Sequence, residues 1–195
     1  MPPPVEIAGP WEVQFDPKWG GPEKPVAFEK LEDWSKRPED GIRFYSGTAV
    51  YRTSIRWNRQ LPIANRQSGI WLDLGQVAVM AEVTLNGKDL GILWKPPFRV
   101  DVTDALKSGE NTLELKVVNL WINRQIGDEK LPEDSDRNPS GNLKSWPQWV
   151  QDGRPSPTGR YTFTSWRLWK KDSPLVESGL IGPVTLLTAE RVEVR

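Results

Sequence analysis

Apolar and polar residues alternate in short runs along most of this chain, with the period of two that marks strands rather than the 3.6 of helices. Trp11-Glu12-Val13-Gln14-Phe15 places Trp11, Val13 and Phe15 on one strand face. Residues 16–46 read mostly as loop, anchored by Phe28, Leu31 and Trp34. From Gly47 the alternation is strong: Ala49, Tyr51, Thr53, Ile55 and Trp57 share one face, and Thr48, Arg52, Ser54 and Arg56 the other. Ile70 to Leu74 is a second strand in this stretch. Val77 to Leu85 is a third, with Val77, Val79, Ala81, Val83 and Leu85 on one side. Asn86-Gly87 predicts a hairpin turn, since both positions of the turn need positive φ, and the chain returns through Leu90 and Leu93. Phe98, Val100 and Val102 form another strand, after which Thr103 caps one helical turn at Asp104 to Lys107, closed by Gly109. Asn111 to Leu120 carries Leu113, Leu115 and Val117 inward. A late strand pair is expected at Arg160–Trp166 and Leu180–Leu187, with Val192 and Val194 ending the chain. Many short strands, little helix and frequent turn signals predict an all-β antiparallel sandwich or jelly roll with long loops. Residues 1–195 read as a single domain with an irregular lead-in at 1–10.

One stretch breaks the pattern. Residues 123–159 show no periodicity yet contain Trp146 and Trp149. A loop that long in a compact domain is functional or disordered, and disordered segments are poor in aromatics, so function is the expectation. If the strand before it continues, Leu113, Leu115, Val117, Asn119, Trp121 and Asn123 share a face that turns from apolar to amide and aromatic. Arg124 and Asp128 follow. The plain reading is a buried polar anchor. The functional reading is a pocket in which Trp121 is a stacking platform while Asn123, Arg124 and Asp128 pair with hydroxyls. Trp146-Pro147-Gln148-Trp149 poses the same choice, either as rings that stack on the C–H faces of sugars or as staples for the loop. Arg160-Tyr161 and Trp166-Arg167 pose it again, and cation–π packing is the alternative there. The candidate ligand-binding residues are therefore Trp121, Asn123, Arg124, Asp128, Trp146, Trp149, Arg160 and Trp166.

Composition narrows the chemistry. Eleven Trp against three Tyr and five Phe mean either a large core or a stacking surface. Trp11, Trp34, Trp57 and Trp71 lie in or beside alternating segments and are expected in the core; Trp94, before Pro96-Pro97, fits core or rim. The 26 basic and 26 acidic residues cancel, which argues against a nucleic-acid partner. No apolar run is long enough to span a bilayer. Zero His and zero Cys remove Ser-His-Asp and Cys-His sites and zinc sites with imidazole or thiolate ligands. Carboxylate catalysis and a calcium site built from oxygens remain open, with Asp128, Asp152 and Glu129 as the acids to inspect, although no Asp/Asn spacing marks a calcium site.

The order of signals resembles the jelly-roll sugar-binding domain of family 2 glycoside hydrolases. It runs from Trp34 through Tyr45-Ser46-Gly47-Thr48-Ala49-Val50-Tyr51-Arg52, Leu72-Asp73-Leu74-Gly75 and Ala81-Glu82-Val83-Thr84-Leu85-Asn86-Gly87. Gly91, Pro97-Phe98, Val100-Asp101-Val102-Thr103, Leu106 and Gly109-Glu110-Asn111-Thr112-Leu113 continue it. The segments 119–128 (Asn119 to Asp128) and 178–184 (Ser178 to Val184) are similar to the version near the C-terminal end of large bacterial enzymes such as the family 106 α-L-rhamnosidases. The resemblance implies a galactose-binding-like fold, with the catalytic acid and base in a separate barrel domain.

The expected function is a non-catalytic carbohydrate-binding or accessory module of a glycoside hydrolase, secreted or periplasmic. Its expected partners are a glycan or oligosaccharide and a catalytic domain, with no cofactor except an optional structural calcium. Two alternatives stay open: a structural module that packs on a barrel without binding glycan, and a small carboxylate-dependent glycosidase.

Overall fold

Alternation of period two buries every second side chain of a strand, and two sheets sharing those buried faces make one core. The computed structural model describes residues 3–58 and 68–190. In chain order its first strands are β1 (Val5–Glu6), β2 (Trp11–Phe15), β3 (Val26–Phe28), β4 (Thr48–Trp57), β5 (Ser68–Asp73) and β6 (Gln76–Val77). They are followed by β7 (Met80–Leu85), β8 (Lys88–Leu93), β9 (Arg99–Asp101), β10 (Gly109–Val118), β11 (Leu180–Gly182) and β12 (Thr185–Glu190). One sheet has the order β3-β2-β4-β10-β7-β8 and the other β1-β12-β5-β9, while β6 and β11 pair beside them. Among the described residues all the strand pairs are antiparallel. The fold is thus an all-β sandwich.

The predicted faces hold. Trp11, Val13, Phe15, Ala49, Tyr51, Ile55, Trp57, Leu113, Leu115 and Val117 face Ile70, Leu72 and Leu186 of the other sheet in one buried cluster. The outer face of the six-stranded sheet is a charged ladder, with Arg52–Glu114 at 2.8 Å and Lys116–Glu82 at 2.7 Å. Exposed pairs of this kind contribute about 0–1 kcal/mol each. At the centre of the core, the Trp34 indole stacks on Tyr51 with 11° between the planes and meets Phe15 and Tyr45 edge to face. Its N–H donates to the Tyr51 hydroxyl. Burial raises the Tyr51 pKa, so that hydroxyl stays neutral and keeps its proton.

Several expectations change. The lead-in carries β1, which pairs with β12 through Val5 and Leu186. The strand expected from Val77 to Leu85 breaks at Ala78-Val79, where the Ala78 N–H turns away to the Gly179 carbonyl. Thr103 caps no helix: its hydroxyl accepts from the Ile70 N–H of β5, and 103–105 form a plain turn. Trp71 lies on the outer side of β5, half-buried, because Ile70 and Leu72 take the inward positions. Arg160–Trp166 forms no strand; a single bridge joins Asn142 to Trp166. Val192 and Val194 lie outside the described residues.

The Asn86-Gly87 turn forms with φ of 53° and 79°. The Asn86 amide donates to the Ala105 carbonyl and to Asn111 Oδ1, and its own oxygen accepts the Thr112 N–H, so one side chain locks the lower end of the sandwich. Gly87 and Gly179 both have positive φ but differ in space. A Cβ on Gly87 meets nothing within 4 Å, whereas one on Gly179 would lie 2.3 Å from Trp34 Nε1. Gly87→Ala is therefore expected to cost about 1 kcal/mol from backbone strain alone. Gly179→Ala is expected to cost roughly 2–4 kcal/mol by also displacing Trp34. Urea unfolding of the two variants checks both values.

Candidate functional site

Where β4 begins and β10 ends, Val118 pairs with Thr48, and the ladder gives out. From here to Gly179 the chain is mostly irregular, so its backbone groups need partners other than neighbouring strands. Side chains supply them. Asn119 Oδ1 accepts the Gly47 N–H at 2.9 Å, its amide donates to the Tyr45 carbonyl at 2.8 Å, and Ser46 Oγ donates to the Leu120 carbonyl.

In place of the continued strand expected through Trp121 and Asn123, the chain enters a helix, α2 (Ile122–Asp128), and the ring of Phe44, which follows the short helix α1 (Asp40–Arg43), lies against its Gly127. A further turn of helix, α3 (Gln148–Gln151), carries Trp149. No strand-type periodicity survives in 122–128 because α2 buries Asn123, Arg124, Ile126, Gly127 and Asp128, a side set by contacts far along the chain. Asn123 donates to the Val176 carbonyl and to Ser178 Oγ, both at 2.7 Å, and accepts the Val176 N–H at 2.9 Å. Asp128 Oδ2 accepts three bonds, from the N–H groups of Tyr161 and Thr162 and from the Thr162 hydroxyl, at 2.7–2.9 Å. Arg160 donates to the carbonyls of Pro132 and Leu131 and to Glu129 Oε1. Arg137, which the sequence did not single out, and Arg167, weighed there beside Trp166, complete this network. Arg137 ties down the Gly141 and Thr164 carbonyls, and Arg167 pairs with Glu133 and Glu129.

The rings behave differently. Trp146, Trp166 and Trp121 are exposed, while Trp149 is half-buried and donates to the Asp134 carbonyl. Trp146 and Trp149 both pack on Phe163, with centroids at 5.7 and 5.4 Å. Trp166 donates to the Ser140 carbonyl. Trp121 meets Trp19 edge to face at 5.2 Å. The four predicted rings thus pack on three separate sets of neighbours. Trp19 carries no sequence signal, since it sits in a non-periodic turn, and Phe163 lies in the stretch 160–166, where the expected strand does not form. The polar slot among Glu129, Arg137, Arg160 and Phe163 holds only about 20 Å³, room for about one water.

The three acids also have partners. Asp128 is buried, Glu129 sits between Arg160 and Arg167, and Asp152 pairs with Arg154 at the surface. Burial raises the Asp128 carboxyl above its usual range, against the opposing pull of Thr162, Tyr161 and Arg124. Burial also lowers the Arg124 guanidinium. Among the described residues no group of three or more His, Cys, Asp or Glu side chains converges as a metal site.

Comparison with known proteins sets this geometry in context. The glycosyl hydrolase 2 galactose-binding domain-like family model matches residues 30–152. A putative beta-glucuronidase of Formosa agariphila is 46% identical over 186 residues, which is 95% of this chain but 16% of that protein. The rhamnosidase of Novosphingobium sp. PP1Y superposes with a TM-score of 0.75 and 31% identity, over 95% of this chain and 15% of that one. The beta-D-glucuronidase of Dictyoglomus thermophilum, at 16% identity and a TM-score of 0.54, shares the fold. The chain therefore spans about one-sixth of the length of the first two.

Two outcomes follow from the anchors. Asn123→Ala strands the Val176 backbone and the Ser178 hydroxyl, so a loss of about 2–3 kcal/mol is expected. Faster amide exchange confined at first to 176–180 would identify the cause. For Asp128 the folded protein holds the proton more tightly than the unfolded chain, because burial raises its pKa. Its contribution to stability is therefore largest below about pH 4 and declines as pH rises through the raised value. Asp128→Asn is expected to remove that decline, read as a flatter curve of Tm against pH.

Proposed function

The chain belongs to the glycosyl hydrolase 2 galactose-binding domain-like family, and from that membership we propose that it acts as a non-catalytic accessory module of a larger glycoside hydrolase, secreted or periplasmic, docking on a neighbouring domain through the aromatic side of residues 119–169. The observation that carries this reading is the division of labour in that segment. Asn123 and Arg160 spend their hydrogen bonds on the module's own backbone and on Glu129, while Trp146 (59% exposed), Trp166 (52%) and Leu168 (58%) stand in solvent. Recognising a sugar requires free donors and acceptors beside a ring. Exposed apolar side chains whose neighbouring polar groups are already used suit a protein surface instead. The relatives supply the context, because the matched region is a small part of each.

A second reading, glycan stacking, draws on the same exposure of Trp146 and Trp166, whose faces are open enough to take a sugar ring. One pair of measurements separates the two. Docking predicts concentration-dependent self-association of the chain in sedimentation velocity, weakened by about 2 kcal/mol for each of Trp146→Ser and Trp166→Ser. It also predicts no retardation on affinity gels of pectic, rhamnose-containing or galactose-containing polysaccharides. A chain that stays monomeric at high concentration and is retarded by one of these glycans, with retardation lost in both variants, would overturn docking in favour of stacking.

A further inference from the structure

Among the described residues, Arg124 leaves two side-chain nitrogens buried and unpaired, beside single orphan atoms such as Trp11 Nε1, Arg43 Nε and Asp128 Oδ1. The Arg124 Nε and Nη2 are shut away from solvent and have no acceptor among the described residues. Its Nη1 lies 4.0 Å from Asp128 Oδ1, too far for a hydrogen bond, and that oxygen is itself buried without a donor. The Tyr161 ring covers the guanidinium, with 4.9 Å from Cζ to the ring centroid. Gly20 closes the side: a Cβ there would meet Tyr161 Cε2 at 2.8 Å and Arg124 Nη2 at 3.2 Å. Beside Gly20, Trp19 packs edge to face on Trp121, and both rings are exposed.

These magnitudes do not balance within the module. Leaving a buried donor unmade costs about 1–3 kcal/mol, and more when it is charged. A cation–π contact returns about 0.5–2 kcal/mol. The two unused N–H groups share one edge of the guanidinium plane, and that edge matches the two oxygens of a carboxylate. The unused Asp128 Oδ1 needs a hydroxyl, which can pair with it in either protonation state. Tyr161 is 42% exposed and its hydroxyl has no partner among the described residues, while its backbone N–H is held by Asp128, so the ring can turn without the chain moving.

The geometry points to a binding site for an acidic sugar, in which Tyr161 swings aside, the Arg124 edge grips the sugar carboxylate, Asp128 Oδ1 pairs with a ring hydroxyl and the Trp19–Trp121 pair flanks the sugar. Burial shifts Asp128 toward its neutral form, which lowers the cost of a second carboxylate near it. The site uses neither Trp146 nor Trp166 and does not rest on the docking reading.

Titration of the chain with glucuronate and galacturonate oligosaccharides, followed by Trp fluorescence and calorimetry, tests it. A saturable response is expected to uronates, none to the matching neutral sugars, and acetate is expected to bind at least tenfold more weakly. Arg124→Lys keeps the charge but loses the paired N–H edge, and at least a tenfold loss of affinity is expected. Tyr161→Ala, at an exposed position, is expected to bind uronates as tightly as the parent or more so, which keeps the site measurable if Arg124→Lys does not fold. No uronate response in either the parent or Tyr161→Ala overturns the site. An equal response to neutral sugars, or acetate binding as tightly as uronate, overturns its assignment to an acidic sugar. None of these outcomes bears on self-association through Trp146 and Trp166, so the two readings fail separately.

Discussion

A backbone that leaves a sheet must still bond its N–H and C=O groups, and that requirement governs the long segment between β10 and β11. Each buried group left unpaired costs about 1–3 kcal/mol, enough for a few of them to exceed the stability of a small domain. The segment meets the requirement with planar side chains that bond backbone on both sides. Asn119 holds Tyr45 and Gly47, Asn123 holds both the N–H and the carbonyl of Val176, Asp128 holds Tyr161 and Thr162, and Arg160 holds Leu131 and Pro132. Arg137 does the same for Gly141 and Thr164.

The sandwich supplies the platform for these ties. Trp34 links them to the core, since its ring stacks on Tyr51, its indole N–H donates to the Tyr51 hydroxyl and its backbone N–H donates to the Ser178 carbonyl. Asp33 takes the Ser178 N–H as well, so the end of the irregular segment is fixed to the turn that carries Trp34. Asn123 then reaches the same Ser178 from α2. Two distant parts of the chain are thereby registered on one residue, and the Gly179 backbone passes close under the indole because no side chain intervenes.

The same economy of polar groups separates the family's shared fold from whatever this surface does. Amides and guanidiniums that would orient a sugar are occupied at Asn123 and Arg160, so the exposed rings stand without polar neighbours from that set. Arg124 alone among the candidates retains an unused pair of donors, and it lies beneath a tyrosine rather than in the open. Family membership accounts for the sandwich; the chemistry of its loops has to be read residue by residue.

Period-two alternation in Trp11–Phe15, Thr48–Trp57 and Gly109–Val118, with the Asn86-Gly87 turn, was sufficient to determine strands, faces and an antiparallel sandwich, because burial on one side leaves a local trace in the sequence. The ordered motifs were sufficient to determine the family. Tertiary structure alone decided that 122–128 is a helix, that 160–166 forms no strand, and that Trp71 faces outward while Trp19 joins Trp121. It also decided which polar residues are anchors. The physical reason is range: Asn123 meets Val176 and Asp128 meets Thr162 across 53 and 34 positions, and a bond over that distance leaves no periodicity in the sequence around either partner.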